Sequence, residues 1–548
     1  MKSSDLFVKC LEKEGVEYIF GIPGEENLDL IESLRNSKIK LIVTRHEQVA
    51  AFMAATYGRL TGKAGVCLST LGPGATNLVT GIAHAYLGGM PMLAITGQKG
   101  VRENFQGNFQ IINVVNTFKP IVKWNTSIIS PRTIPRFIRY AFKVAEEERP
   151  GPTHIELPED IADEQLDDSY VPLDNEKIRR PAPDPKALIK AMELINSSKF
   201  PIIIVSSGAN RKRISKQLKN FVHKTGIHVL HTQMGKGVLP DDDEHSMFTM
   251  GIHKKDYTHC ALDKADLIIT IGYNIVEYPP SVWNKNKDKK ILHIDFVPSE
   301  PDEYYNPNLE LIGDVSHSLW ALYDQINPVR YDFSYLEMLR KKLLLLFDEY
   351  QNDSGFPLKP QKIVCDVRKV MDKEDIVCLD NGIYKIWFAR MYRTYAENTL
   401  LLDNALATMG AGMPAAMAAK LVNPEKKVLA VCGDGGFMMN SQDLETALRL
   451  KLNIVILILR DDAYGFIRWK QHGMGFADFG MTFGNPDFVK YAEAYGAIGY
   501  RVSKAEELMP LLEKAFQQDK PVIIDCAIDY SENDKLSNNL GENVCLLV

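Results

Sequence analysis

Within residues 428–467, VLAVCGDGGFMMNSQDLETALRLKLNIVILILRDDAYGFI, two buried-looking apolar runs each end on a carboxylate, Asp434 and Asp461, 27 residues apart. That is the length of one strand-helix-strand crossover, which needs about a dozen residues or more. In open parallel sheets ligands bind outside the carboxyl ends of the strands, so the two acids can meet in space. Two aspartates and a loop carbonyl, with glycines letting the backbone approach closely, form a hard-oxygen donor set suited to Mg²⁺ that keeps room for phosphate oxygens. Gly-Asp-Gly alone is as well explained by a strand-end turn in which Asp434 caps the next helix. The second acidic strand end at this spacing favours the metal.

A second segment, 41–77 (LIVTRHEQVAAFMAATYGRLTGKAGVCLSTLGPGATN), leads one strand into Arg45-His46-Glu47 at a helix start and another into Gly72-Pro73-Gly74. A carboxylate at that place has a plain explanation, because acids are favoured at helix N-termini. His46 is expected as structural support for Glu47 or as a proton relay. Arg468 and Lys470, flanking Trp469, either pair with a substrate carboxylate or form a solvated helix face. His228, His231, His253 and His259 show no metal-ligand spacing on a helix and no partnering cysteine, so they are expected as isolated packed or polar histidines.

The elements that must position these residues alternate along the whole chain. From the start to about residue 180, strands are expected at 18–20, 41–44, 66–69, 92–96 and 153–157, with helical stretches between them. A polar, proline-containing stretch, 174–185, reads as a linker. Strands follow at 201–205, 228–230, 266–271 and 290–294, then a charged amphipathic helix at 335–350 and a second linker, QNDSGFPLKP. Beyond it the alternation resumes with strands at 375–379, 427–431, 453–459 and 521–524. This pattern predicts an α/β chain of three doubly wound parallel-sheet domains, placed at 1–175, 186–330 and 356–548.

Composition bounds the function. The 548 residues carry 64 Lys+Arg against 70 Asp+Glu, a formal charge of −6, with 45% hydrophobic and 24% charged residues. That is ordinary for a globular protein and lacks the basic excess a nucleic-acid binder needs. No window reaches the ~18 apolar residues of a spanning helix, so neither nucleic acid nor membrane is expected as a partner. The eight cysteines include no Cys-x-x-Cys pair and are expected as buried thiols in a reducing, cytoplasmic setting.

The 428–467 segment resembles the cofactor motif of thiamine diphosphate enzymes, Gly-Asp-Gly followed about 27 residues later by an Asn pair. The resemblance places the metal ligands on Asp434, Asp461 and the carbonyl of Ala463, with Asp461 standing where most members have Asn. It places Gly435, Gly436, Tyr464, Gly465 and Phe466 along the same pocket. Segment 41–77 resembles the cofactor-activating region of the acetolactate synthase branch. This implies that Glu47 bonds N1′ of the aminopyrimidine, with Pro73 and Asn77 beside the ring. DNALATMGAGMPAAMAAKL (403–421) resembles the stretch whose bulky residue, here Met409, bends the cofactor and whose carbonyl, here Ala407, accepts from N4′. Gly382, Ile383 and Tyr384 match the loop that donates to the diphosphate, Phe109 and Gln110 a substrate-side pair, and Lys123 a basic residue near the cofactor.

Likeness to catabolic acetolactate synthases runs in order through IGYNIVEYPPSVWN (271–284), ILHIDFVPSEPDEYYNPNLELIGDV (291–315) and DYSEN (529–533). It implies joining of two pyruvates to 2-acetolactate with loss of CO₂, in a homodimer or homotetramer whose active sites lie between subunits. The same cofactor in a different 2-oxoacid decarboxylase or carboligase, and a catalytically silent homologue, are the alternatives. Three departures bear on substrate. Gly24 is followed by Glu25, where a small residue whose amide helps an oxyanion hole is usual. Trp469 is one place out of phase with the biosynthetic branch. Met250-Gly251-Ile252-His253 resembles the branch that binds FAD. The middle domain nevertheless has no Gly-x-Gly-x-x-Gly, only Gly208 after its first strand, and FAD, although possible, is not favoured.

Overall fold

The computed structural model describes residues 1–548 except 104, 106, 177–179, 251–257, 534–535 and 537–548, so Gly251, Ile252 and His253 of the FAD-like stretch lie outside the described residues. The chain forms two compact units. The first comprises Met1–Arg179, Ala405–Glu425 and Met438–Leu452, the second Arg180–Asn404, Lys426–Phe437 and Asn453–Val548.

The first unit holds a six-stranded parallel sheet of β1 (Tyr18–Gly21), β2 (Lys40–Val43), β3 (Gly65–Ser69), β4 (Met92–Gln98), β5 (Trp124–Ser127) and β6 (Pro152–Pro158). Its order is β2-β1-β3-β4-β6-β5. Every residue of β3, β4 and β6 is buried, as expected for inner parallel strands covered on both faces. Leu6, Phe7 and Leu11 of helix Ser3–Glu14 pack with Ile138 and Phe142 of helix Ile134–Glu146 in one core. Helix Glu47–Thr61 buries Ala50, Ala51, Ala54 and Ala55 completely and packs against helix Gly412–Val422. Helix Val79–Gly88 also packs closely on helix Glu47–Thr61, where a Cβ on Gly81 would stand 2.3 Å from that of Ala51.

The second unit contains two such sheets. One is built from β7 (Pro201–Val205), β8 (Val229–His231), β9 (Ser246–Thr249), β10 (Leu267–Ile271), β11 (Lys290–Asp295) and β12 (Leu309–Ile312), in the order β12-β11-β10-β7-β8-β9. The other is built from β13 (Ile376–Leu379), β14 (Leu400–Leu401), β15 (Val428–Gly433), β16 (Val455–Arg460), β17 (Ile498–Arg501) and β18 (Val522–Ala527), in the order β14-β13-β15-β16-β18-β17. In each sheet the chain runs outward on one side and then returns to the other. The reversals fall between β1 and β3, β7 and β10, and β13 and β15, which is where a crevice opens in doubly wound sheets.

Three doubly wound parallel sheets match the fold class read from the sequence. Five strands, β5, β9, β12, β14 and β17, were not anticipated, and all lie at sheet edges. Cys10, Cys67, Cys365, Cys378, Cys432 and Cys526 are free, but Cys260 is disulfide-bonded, which corrects the expectation of unpaired thiols throughout. The histidines are not isolated either: His231 bonds buried Asp241 at 3.0 Å, and His259 pairs with Asp263 at 3.3 Å. Among the described residues no helix is long and apolar enough to cross a membrane.

Candidate functional site

In the first unit the crevice between β1 and β3 gathers the residues singled out in 41–77. His46 is the N-cap of helix Glu47–Thr61, its Nδ1 accepting from the Gln48 amide at 3.0 Å. Glu47 therefore starts the helix, 8% exposed, and its Oε2 accepts from Asn77 Nδ2 at 3.0 Å. Gly74, in the short helix Gly72–Asn77 after β3, lies so near that a Cβ there would stand 3.2 Å from Glu47 Oε1 and 2.9 Å from Thr70 Cγ2. Thr70 in turn abuts Gly24, where a Cβ would come within 2.4 Å of it. Gln110 adopts φ 59°, and its carbonyl would stand 2.4 Å from a Cβ on Gly72. Gly24, Pro73, Asn77, Gln110 and Glu47 are thus brought together, with Phe109 exposed beside Gln110.

Two neighbours of Glu47 escaped the sequence reading. Asp443, fully buried, accepts from the Arg45 amide and the Thr446 hydroxyl, both at 2.8 Å. Asn440 Nδ2 donates to Gln48 Oε1 at 3.0 Å and to the Gly410 carbonyl at 2.7 Å. Asn440 therefore ties the turn holding Ala407 (φ 55°), Met409 and Gly410 (φ 85°) to the residue next to Glu47. Lys123 is not brought to Glu47. Its ammonium donates to the carbonyls of Val144 and Glu147, where it caps helix Ile134–Glu146. Glu25 is exposed, and its charge bears on Lys99, which is paired with buried Glu26 at 2.9 Å.

In the second unit the register Gly433↔Leu459 sets the ends of β15 and β16 side by side, so Asp434 and Asp461 leave adjacent strand tips one residue out of step. Both are buried. Burial raises the Asp434 carboxyl, partly offset by amide donors from Asp462 and Gly435 and by Asn485. Burial and the charge of Asp434 push Asp461 up to about 7, although Arg468 pairs with it at 3.4 Å. Gly465 is required here, since a Cβ would stand 2.4 Å from Asp461 Oδ2. Gly436 is equally constrained, 2.6 Å from Asp380 Oδ2 by the same construction. Asp380 precedes Gly382, the N-cap of helix Ile383–Met391, and Tyr384 accepts the Gly433 amide at 2.9 Å. Tyr464 and Phe483 pack with rings tilted at 57° and centroids 4.9 Å apart beside Gly435, and Phe466 meets Trp469 at 5.7 Å.

Asn485 is the residue of this cluster that spacing could not reveal. Its Nδ2 donates to Asp434 Oδ2 at 2.8 Å and Asp462 Oδ1 at 2.7 Å, while its buried Oδ1 has no hydrogen-bond partner. Two mutually repelling carboxylates, an unsatisfied oxygen and glycine-lined backbone fit a hard divalent cation and the phosphates it carries. Arg468 is thus engaged with Asp461, and Lys470 lies over the rings of Trp469 and Phe466.

The crevice of the middle sheet, between β7 and β10, is filled differently. Gly208 and Gly272 abut, a Cβ on Gly272 standing 2.3 Å from the Ala209 nitrogen. Buried Glu277 accepts from Ser206 Oγ, the Ser207 amide, Thr232 Oγ1 and the Met234 amide, at 2.7, 3.1, 2.6 and 3.1 Å.

Known proteins match this arrangement along the chain. The N-terminal TPP binding domain of thiamine pyrophosphate enzymes matches residues 1–117, their central domain 188–322, and their C-terminal TPP binding domain 380–526. The acetolactate synthase of Bacillus subtilis is 34% identical over 99% of this chain and 96% of its own. A catabolic acetolactate synthase of Raoultella terrigena is 34% identical over 98% and 97%. A probable acetolactate synthase large subunit of Methanocaldococcus jannaschii is 34% identical over 97% and 93%. The chain belongs to the thiamine pyrophosphate enzymes, as an enzyme of the acetolactate synthase type.

Proposed function

We propose that this enzyme is a thiamine diphosphate- and Mg²⁺-dependent carboligase that condenses two pyruvates to 2-acetolactate with loss of CO₂. The observation that carries this reading is the carboxylate pair at neighbouring strand tips, with Asp461 held near 7 by its burial and by Asp434. Asp434, Asp461 and the carbonyl of Ala463 would hold the cation. Gly382, Ile383, Tyr384, Gly435, Gly436, Tyr464, Gly465 and Phe466 would line the diphosphate. Bound thiamine diphosphate supplies the carbanion and electron-sink chemistry that amino-acid side chains lack.

The chain's own residues then bind, orient and move protons. Glu47, fixed by Asn77 at 3.0 Å, would bond the aminopyrimidine and exchange a proton with it. Pro73 and Asn77 would flank that ring, Met409 would support the bound cofactor, and the Ala407 carbonyl, set by a φ of 55°, would accept from it. The Glu25 backbone amide would donate to developing oxyanion charge, the Gly24 amide being taken by Asn27 Oδ1 at 2.9 Å, and Phe109 and Gln110 would face the substrate. Glu25 is exposed, so solvent screens its charge from a 2-oxoacid carboxylate. Lys123 has no part in this chemistry. A homodimer or homotetramer is proposed, with Glu47 of one copy serving the diphosphate held by another.

FAD is not part of the proposal. The amide and hydroxyl donors at the middle sheet's crevice, which a dinucleotide phosphate would use, are already taken by the Glu277 carboxylate. The test is to incubate the purified chain with thiamine diphosphate, Mg²⁺ and pyruvate, and to measure acetolactate (as acetoin after acid) beside acetaldehyde. Acetolactate is the expected main product. Acetaldehyde alone refutes the carboligase, and no product supports the silent homologue.

A further inference from the structure

The histidines of the middle sheet form a cluster that the chemistry above does not use. His223 lies in the last turn of helix Lys212–Thr225, and Asp243 and His245 lie in the loop leading into edge strand β9. His223 Nε2 is 2.7 Å from Asp243 Oδ2, and His245 Nδ1 is 3.0 Å from Asp243 Oδ1. One ligand atom from each residue lies within 4.8 Å of the others. Ligands on tetrahedral zinc stand about 3.4 Å apart at bonds of about 2.1 Å. Both contacts to Asp243 are already inside that limit, and His223, its side chain 50% exposed, is free to close the third.

Two further observations show a built site. The Asp243 carboxylate also accepts the His245 amide at 3.1 Å, fixing the turn that carries both ligands. Arg340 holds the same loop by donating to the carbonyls of Asp241, Asp243 and Ser246 at 2.9, 3.0 and 3.0 Å. A third imidazole, His228, is 4% exposed with its Nδ1 lacking any hydrogen-bond partner, and its ring lies 5.4 Å from that of His245. His228 thus borders the three-residue group without being one of its ligands.

The donor chemistry selects the ion. Imidazole nitrogens with one carboxylate suit Zn²⁺, or Ni²⁺ and Cu²⁺, over Mg²⁺.

We propose that His223, Asp243 and His245 form a zinc site that staples edge strand β9 to helix Lys212–Thr225. The cluster precedes β8 and β9, at the amino ends of the strands, away from the crevice between β7 and β10, so the ion is structural and takes no part in turnover. Its removal loosens the edge of the middle sheet and leaves the carboxylate pair untouched.

The test uses holoenzyme saturated with thiamine diphosphate and Mg²⁺, so that Asp434 and Asp461 are not open to added zinc. Zinc is titrated by equilibrium dialysis with elemental analysis, and its ligands are read by X-ray absorption. The expected result is one zinc per chain with imidazole scattering, bound at least about 100-fold more weakly in His223→Gln and in Asp243→Asn, with turnover unchanged in both. His223→Gln alters a half-exposed ring and Asp243→Asn keeps the shape of the turn, so at least one variant reports from a folded chain. The proposal is overturned if wild type takes up no stoichiometric zinc at micromolar concentration, if both variants bind it equally well, or if the spectrum shows no imidazole.

Discussion

Asn485→Ala tests whether the cation cluster is held as described. In the wild type the amide group supplies one donor to Asp434 at 2.8 Å and another to Asp462 at 2.7 Å, the remaining donors to Asp434 being the amides of Asp462 and Gly435. Asp434 is 1% exposed, so water does not readily replace a lost donor. A hydrogen bond to a charged group contributes about 1.5–3 kcal/mol, which corresponds to roughly 10- to 150-fold in a binding constant. The alanine variant is expected to need ten- to a hundredfold more thiamine diphosphate at fixed Mg²⁺ for half-saturation, the range usual for lost outer partners of metal ligands. At saturation kcat should stay within about threefold, because Asn485 does not touch the proposed reacting atoms. The assay is initial-rate acetolactate formation across a cofactor titration, with intrinsic fluorescence as an independent binding readout. Half-saturation within twofold of wild type, or a collapse of kcat with unchanged affinity, would refute the reasoning.

Gly74→Ala places a methyl carbon 3.2 Å from Glu47 Oε1 and 2.9 Å from Thr70. It is expected to lower kcat at least tenfold while the unfolding midpoint moves little, as activity assays and thermal melts would show. Asp443→Ala leaves the Arg45 amide and Thr446 hydroxyl without their acceptor, a loss of about 1–3 kcal/mol that urea unfolding should detect. Lys123 carries the pH signature: burial pushes its ammonium down from 10.5 to about 8. A base depressed in the folded state opposes folding while charged, so the penalty is present below about 8 and is relieved as pH rises toward 10.5. Wild type should therefore gain stability across that window relative to Lys123→Met, and melts of the two proteins that stay parallel with pH would contradict this.

The inner strands and the paired acids were legible because burial on both faces demands unbroken apolar runs, and because the tip of such a run marks a ligand position. VLAVCG and VILILR announce themselves in this way. Edge strands have no such signature. Trp124 to Ser127 are all half-buried, and Leu400–Leu401 is too short to show a period. Glu47 was readable from the helix start that follows β2 and from its family resemblance. Asn440, Asp443 and Asn485 were not, since each acts through a contact made by folding, such as the 392 residues separating Asn440 from Gln48. The His223, Asp243 and His245 cluster escaped for the same reason, as helix and loop approach only across the sheet edge. Lys123 shows the converse: a basic residue at a matching position lies at a helix end, where its amine satisfies terminal carbonyls.

The most direct measurement of the central claim is the rate of hydrogen–deuterium exchange at C2 of thiamine diphosphate bound with Mg²⁺, compared between wild type and Glu47→Gln under cofactor saturation. A positioned acid-base group contributes about 10²–10⁴-fold. The account predicts that the variant retains the cofactor, exchanges C2 slower by at least about a hundredfold, and loses acetolactate formation in proportion. Exchange and turnover within a few-fold of wild type would contradict it.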